Sequence, residues 1–179
     1  FWLCEDIGSK NEKIRLISTQ ENLPKGISDL NIVILLKKEI SPLIKDLPLF
    51  GISDNIFKTF NDRPNLLTKR EIRIQLLADL ELPELGTLLD FGSGSGSIGL
   101  EALRLRPQLK LISIDKRLGS QFLVKENAKK LGVLPKKIIE SDVKQFLKND
   151  LNNIFSDSNR VIIGGCDKDT KIEIIESVS

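Results

Sequence analysis

This 179-residue chain contains no histidine, no methionine and only two cysteines, and aromatic residues make up 5% of it. Without histidine it has no imidazole base, no Ser-His-Asp triad and no His-based metal site. Without methionine it lacks even an initiator, so the sequence is expected to be an internal segment of a longer protein. At about 100–200 residues per domain the length suggests one domain plus a piece of another. Cys4 and Cys166 lie too far apart in sequence for a zinc spacing or a redox pair, and reduced thiols in a cytoplasmic protein are expected. No apolar run approaches the roughly 20 residues that span a bilayer, and no segment has the form of a signal peptide. A net charge of +2 and the scarcity of aromatics weigh against nucleic acid. The partners expected therefore include neither nucleic acid nor a membrane. What is present, 40% apolar and 29% charged residues, is the balance of a globular chain.

Two compositions succeed one another. In residues 1–40, Lys13 to Ser18 alternates charge and bulk as a strand does, and Leu30 to Leu36 is an aliphatic run suited to a strand buried on both faces. Residues 41–65 carry Pro42, Pro48, Gly51 and Pro64 among mixed charges and read as a linker and lead-in arm. From residue 66 the pattern is regular. Thr68 and Glu71 form a capping box ahead of a helix carrying Ile72, Leu76, Leu77 and Leu80. Strands are expected at Leu88–Phe91, Leu109–Ile114, Ile138–Ile139 and Val161–Ile163. Each is followed by a helix: one with Ile98, Ala102, Leu103 and Leu105; one with Leu118, Phe122, Leu123 and Leu131, closed by Gly132; one with Val143, Phe146 and Leu147; and one with Ile172, Ile175 and Val178. Alternation of this kind predicts an α/β fold, a parallel sheet with helices on its faces. Ligands of such sheets bind at the carboxyl ends of the strands, so the glycines after the first strand, Asp115, Asp142 and Gly164 should gather on one edge.

The richest segment is Asp90-Phe91-Gly92-Ser93-Gly94-Ser95-Gly96-Ser97. Alternate glycines let a backbone turn tightly and approach a ligand. Two cofactors suit it. Gly94-x-Gly96-x-x-Gly99 matches the dinucleotide pattern of an NAD-type oxidoreductase. S-adenosylmethionine is the other. Asp90 favours the second, because a carboxylate just before the loop repels a pyrophosphate and attracts an ammonium and a sulfonium. Asp115, the strand-end acid about 20 residues on, serves either reading.

Asp90-Phe91-Gly92-x-Gly94-x-Gly96, acidic Asp115 and Ser141-Asp142-Val143 resemble the successive motifs of class I methyltransferases. Leu67-Thr68-Lys69-Arg70-Glu71-Ile72-Arg73 and Arg160-Val161-Ile162-Ile163-Gly164-Gly165, with Gly51-Ile52-Ser53-Asp54 and Phe57, resemble the decarboxylating precorrin methyltransferases of cobalamin biosynthesis, which act on carbon 15 and remove the carboxyl of the carbon-12 acetate. Leu3-Cys4-Glu5-Asp6-Ile7-Gly8, Glu12-x-Ile14 and Leu30 to Leu36 resemble the end of the tetrapyrrole methylase that acts on carbon 5. The order is similar to that of the fused precorrin-6Y C(5,15)-methyltransferases (decarboxylating).

The resemblance implies a Rossmann-like class I methyltransferase sheet at 66–179, truncated by three strands, behind a methylase tail at 1–40. It implies S-adenosyl-L-methionine as cofactor, a precorrin as substrate and no metal. A homo-oligomer is expected, and so is inactivity of this segment alone. By the same resemblance Gly92, Ser93, Gly94, Ser95 and Gly96 pack on the amino-acid part of the cofactor, with Asp90 beside them. Asp115 accepts from the ribose hydroxyls, Asp142 and Val143 face the adenine, and Thr68 touches the cofactor. Asp115 also reads as a solvated loop-end acid, Asp142 as a helix cap and Thr68 as a cap alone. Lys69, Arg70 and Arg73 either hold substrate carboxylates or form a solvated helix face, with Gly164 and Gly165 on the substrate side. Cys166-Asp167 stand where the family often continues with glycine. No general base or decarboxylating residue is assigned.

Overall fold

A computed structural model describes residues 1–17, 24–35, 46–155 and 158–178. The ends of two expected strand runs, Ser18 and Leu36, and the 40/41 boundary with Pro42 lie outside the described residues. The chain forms two compact units, 1–40 and 41–179. Among the described residues no helix is long and apolar enough to cross a membrane.

The first unit is a three-stranded antiparallel sheet of β1 (Trp2–Glu5), β2 (Lys13–Leu16) and β3 (Asn31–Ile34), in the order β2-β1-β3. The central strand buries Leu3, Cys4 and Glu5. Glu5 is satisfied by the Arg15 guanidinium and by the Ser28 N–H at 3.0 Å. The expectation of a doubly buried strand at Leu30–Leu36 is corrected: β3 is an edge strand, and Ile32, Val33 and Ile34 are all exposed. An aliphatic run states what a strand prefers, not how many neighbours it has.

The second unit is the α/β body. Its strands are β4 (Gly86–Phe91), β5 (Leu109–Asp115), β6 (Lys137–Glu140) and β7 (Ser158–Ile163), all parallel, in the order β6-β5-β4-β7. Its helices are α1 (Arg70–Asp79), α2 (Ser97–Leu105), α3 (Ser120–Leu131), α4 (Val143–Ile154) and α5 (Lys168–Val178). Successive residues of the central strands feed opposite faces. Leu88 and Leu111 pack with Leu100, Leu103 and Val124 of α2 and α3; Leu89, Phe91, Ile112 and Ile114 pack with Phe146 and Leu147 of α4 and Ile174 of α5. Burial on both faces explains why these strands read as continuous apolar runs. Each such side chain contributes about 1.5–3 kcal/mol. The chain moves outward from β4 to β5 to β6 and then returns to pair β7 with the other side of β4. The direction of winding therefore reverses beside β4, which opens a crevice at the strand ends there.

Three local expectations are corrected. The N-cap of α1 is Lys69, without a side-chain bond, so Thr68 does not cap that helix. Leu118 and Phe122 are exposed, and α3 instead presents Leu123, Val124, Asn127, Ala128 and Leu131 inward. Arg73 is not at the surface at all. It is fully buried on α1, and its Nε donates to Glu101 at 2.7 Å. Its Nη1 donates to Asp54 at 2.7 Å and to the Thr68 carbonyl, and its Nη2 donates to the Ile52 carbonyl. The guanidinium carbon lies 4.8 Å from the Phe57 ring centroid.

Glu101, also fully buried, accepts from the Gly51 N–H at 2.6 Å as well. This cluster fastens the lead-in arm to α1 and α2. The arm is packed rather than loose, with Ile52, Phe57 and Phe60 buried. Removing one partner of a buried ion pair strands the other charge, at about 3–5 kcal/mol. Arg73→Met is therefore expected to lower stability by about that amount in denaturant titrations, and Glu101→Gln added to it should restore part of the loss. A variant with unchanged midpoint would contradict this placement.

Candidate active site

At the carboxyl ends of the four strands lies a cleft of about 360 Å³, within the range of small-molecule sites. It is lined by Asn65 at the end of the arm and Leu66–Thr68 after it, Asp90, the glycine loop, Asp115–Arg117, Asp142, Val143 and the segment Gly164–Asp167. The loop is shaped by Gly92, Gly94 and Gly96, all at positive φ (70°, 56° and 75°). At Gly92 the reason is packing as well as conformation. A Cβ there would lie 2.1 Å from the Gly164 carbonyl oxygen, where the Gly164 N–H is still bonded to the Phe91 carbonyl at 2.8 Å.

Four N–H donors of the loop, those of Gly92, Ser93, Gly94 and Gly96, are committed within the fold. The Gly92 and Ser93 N–H groups bond the Ile114 carbonyl at 2.8 and 3.2 Å, and the Gly96 N–H bonds the Ser93 carbonyl at 2.8 Å. The Gly94 N–H donates to Asp115 Oδ2 at 2.7 Å. Little of a phosphate cradle is left, since such a cradle works through outward-facing N–H groups. Asp115 accepts from the Arg117 N–H at 2.8 Å too. A carboxylate has about four acceptor sites, so two remain for further donors.

Asp90 sits at the floor of the cleft and is only 2% exposed. Burial, then the nearby charge of Asp115, pushes its carboxyl up to about 7, against a hydrogen bond from the Gly99 N–H. Gly99 is the third residue of α2, whose N-cap Gly96 has no side chain to offer. Asp90 thus supplies that helix with the acceptor its own cap lacks. Val143 and Asp142 also line the cleft. Asp142 is the N-cap of α4 and accepts from the Lys144 N–H at 2.9 Å. Asp167 accepts from the Thr170 N–H and hydroxyl, which hold its carboxyl below the usual range. Burial and then the charges of Asp115 and Asp167 push the Cys166 thiol up, away from a reactive thiolate.

A sequence profile for the precorrin methyltransferase domain matches residues 59–177. This chain belongs to that family. A curated relative from Saccharolobus solfataricus, a probable cobalt-precorrin-6B C(15)-methyltransferase (decarboxylating), is 34% identical over 128 residues, 71% of this chain and 61% of the relative. A crystal structure of precorrin-6Y C5,15-methyltransferase from Geobacter metallireducens is 28% identical with a TM-score of 0.61, over 74% of this chain and 66% of that one. The C-terminal domain of precorrin-6Y C5,15-methyltransferase from Rhodobacter capsulatus shares the fold, with a TM-score of 0.58 at 21% identity, over 74% of this chain and 68% of that one. The chain thus spans less than two thirds of the length of the curated relative.

In this precorrin methyltransferase domain every residue expected at the cofactor lies at the cleft except Gly96, which turns the loop behind it. The donor set suits S-adenosylmethionine: a buried acid at Asp90, a glycine loop with four of its N–H groups already bonded, and acceptor capacity at Asp115. Gly164 and Gly165 also line the cleft. Lys69, Arg70 and Arg73 do not. Lys69 is exposed, with Nζ 4.0 Å from Asp54, and Arg70 Nε donates to the Gly51 carbonyl at 2.6 Å. Of the two alternatives for Arg73, substrate binding or a solvated helix face, neither holds, since it is buried and paired within the fold; Lys69 and Arg70 lie outside the lining of the cleft.

Sequence reading missed Asn127, which is fully buried on α3. Its amide accepts from the Lys58 N–H at 2.7 Å and donates to the Lys58 and Ser95 carbonyls at 3.0 Å each, joining arm to glycine loop. A polar residue within an apolar stripe was the available signal.

Two outcomes follow from this geometry. Gly92→Ala places a Cβ against a backbone oxygen at positive φ, costing at least on the order of 1–3 kcal/mol; thermal melting should show the loss. Asp90 stays protonated in the native state up to about pH 7, whereas the unfolded chain ionises near pH 4. Native protein therefore holds the extra proton between those values, so this group's contribution to stability falls as pH rises through the window and levels off above 7. Asp90→Asn should flatten that part of the stability–pH curve; an unchanged slope would contradict the assignment.

Proposed function

We propose that the whole protein is an S-adenosylmethionine-dependent C-methyltransferase of cobalamin biosynthesis, methylating a precorrin at carbon 15 and removing the carboxyl of its carbon-12 acetate. The observation that carries this reading is the buried Asp90 beside a glycine loop in which the Gly92, Ser93, Gly94 and Gly96 N–H groups are already bonded, in a chain of this family. In the reading, Gly92–Gly96 and Asp90 border the methionine end, Asp115 accepts from the ribose, Asp142 and Val143 flank the adenine, and Thr68 closes the arm side. Gly164 and Gly165 border the substrate. Residues 1–40 are read as the end of a carbon-5 tetrapyrrole methylase domain and 41–65 as the arm between, in the order of the fused C(5,15) enzymes.

S-adenosylmethionine, when bound, supplies an electrophilic methyl group on a sulfonium. The residues of this chain position and shield. The ionised Asp90 carboxylate attracts the positive end of the cofactor, and Asp115 makes charge-assisted bonds to hydroxyls. The apolar wall of Leu66, Leu67, Ile98, Val143 and Ile162 keeps water from the reacting centre. The same apolar wall favours loss of carbon dioxide: the bond from the acetate carbon to its carboxylate breaks, the electron pair passes into the conjugated macrocycle, and charge concentrated on two poorly hydrated oxygens is dispersed over the ring.

Calorimetric titration with S-adenosylhomocysteine and, separately, NADH tests the reading. Binding of the former with none of the latter is expected. Binding of the nicotinamide alone would overturn it.

A further inference from the structure

Four carboxylates and two cations line the cleft among the described residues: Asp90, Asp115, Asp142 and Asp167 against Lys116 and Arg117. That balance suits a cationic cofactor and leaves little for a polyanionic substrate. Lys116 is partly answered, its Nζ 3.7 Å from Asp142 Oδ2. Arg117 is not: among the described residues no carboxylate lies within ion-pair distance of its guanidinium. Arg70, Arg73, Arg104 and Arg160 all donate to carbonyls or carboxylates of the fold.

Arg117 is nevertheless held in place. Its N–H is fixed on Asp115 at 2.8 Å and its carbonyl accepts from the Ser120 N–H at 3.0 Å. Its guanidinium carbon lies 5.0 Å from the centroid of Phe60, a ring only 9% exposed. A guanidinium resting on an aromatic ring is oriented by its face, while its N–H donors lie in the plane of the fork and remain available to an oxygen pair. An ordered arginine with uncommitted donors at the edge of a ligand cleft is the geometry of bidentate carboxylate recognition.

We infer that Arg117, laid on Phe60, is a carboxylate-binding residue at the cleft rim and holds a side-chain carboxylate of the tetrapyrrole substrate. The inference rests on the proposed function and places at Arg117 a carboxylate contact inside the cleft, which Lys69, Arg70 and Arg73 do not line. The chemistry is shared with one other source, the α-carboxylate of the cofactor, and the test separates the two.

Wild type, Arg117→Gln and Arg117→Lys are titrated by calorimetry with S-adenosylhomocysteine, with 5′-methylthioadenosine, which lacks the amino-acid carboxylate, and with uroporphyrin I, an octacarboxylated tetrapyrrole. Arg117→Gln is expected to weaken uroporphyrin binding roughly ten- to hundredfold, as for loss of a charge-assisted bond, and to leave S-adenosylhomocysteine within about twofold. Arg117→Lys, which keeps the charge but not the fork, should recover part of the loss. Weakened S-adenosylhomocysteine with unchanged methylthioadenosine would give the residue to the cofactor and overturn the inference. Unchanged uroporphyrin binding in Arg117→Gln, or none to a wild type that binds S-adenosylhomocysteine, would overturn it too. A wild type that binds no S-adenosylhomocysteine would sink the methyltransferase reading itself.

Discussion

A carboxyl group taken out of water at the end of β4 has to be answered by something, and what answers Asp90 organises the rest of the site. One answer is internal: the Gly99 N–H at the start of α2, a helix whose own cap is a glycine. That bond ties the central strand to the helix that follows it and fixes where the glycine loop begins. It does not fully compensate the charge, since burial and the neighbouring Asp115 still hold the group near neutrality at about 7. The remaining demand faces the cleft. A cation arriving there favours the ionised form of Asp90, and in that desolvated position the pair attracts more strongly than it would in water.

Around that floor the charges are layered. Asp90 is buried and Asp115 partly so, and the two lining cations belong to the β5–α3 turn. The arm meets that turn where Arg117 lies on Phe60, and it is held by the Arg73–Glu101–Asp54 cluster at one end and the Asn127 amide at the other. Because Asn127 also bonds the carbonyl of Ser95, the arm and the loop are braced by one side chain.

The four strands and their helices were legible in the sequence because buried parallel strands are apolar throughout and their helices repeat at 3.6. The clustering of the glycine loop, Asp115, Asp142 and Gly164 followed from topology alone. The role of Arg73 did not. A charged residue on a helix beside Lys69 and Arg70 reads as surface, and only folding brings Glu101 and Asp54, 28 and 19 residues away, against it. The exposure of β3 was hidden for a related reason, since burial of a strand depends on neighbours that its own residues do not encode. Arg117 carried no motif. Its position became informative once Phe60, 57 residues earlier, was seen beneath it.

The central claim is that the Asp90 carboxylate answers a positive charge in the cleft. Carbon-13 NMR titration of its carboxyl, with and without S-adenosylmethionine, tests this most directly. The account predicts a midpoint near 7 in the free protein that falls by about one unit or more on binding, as an opposite charge within about 4–6 Å requires. A midpoint that stays in place or rises would contradict it.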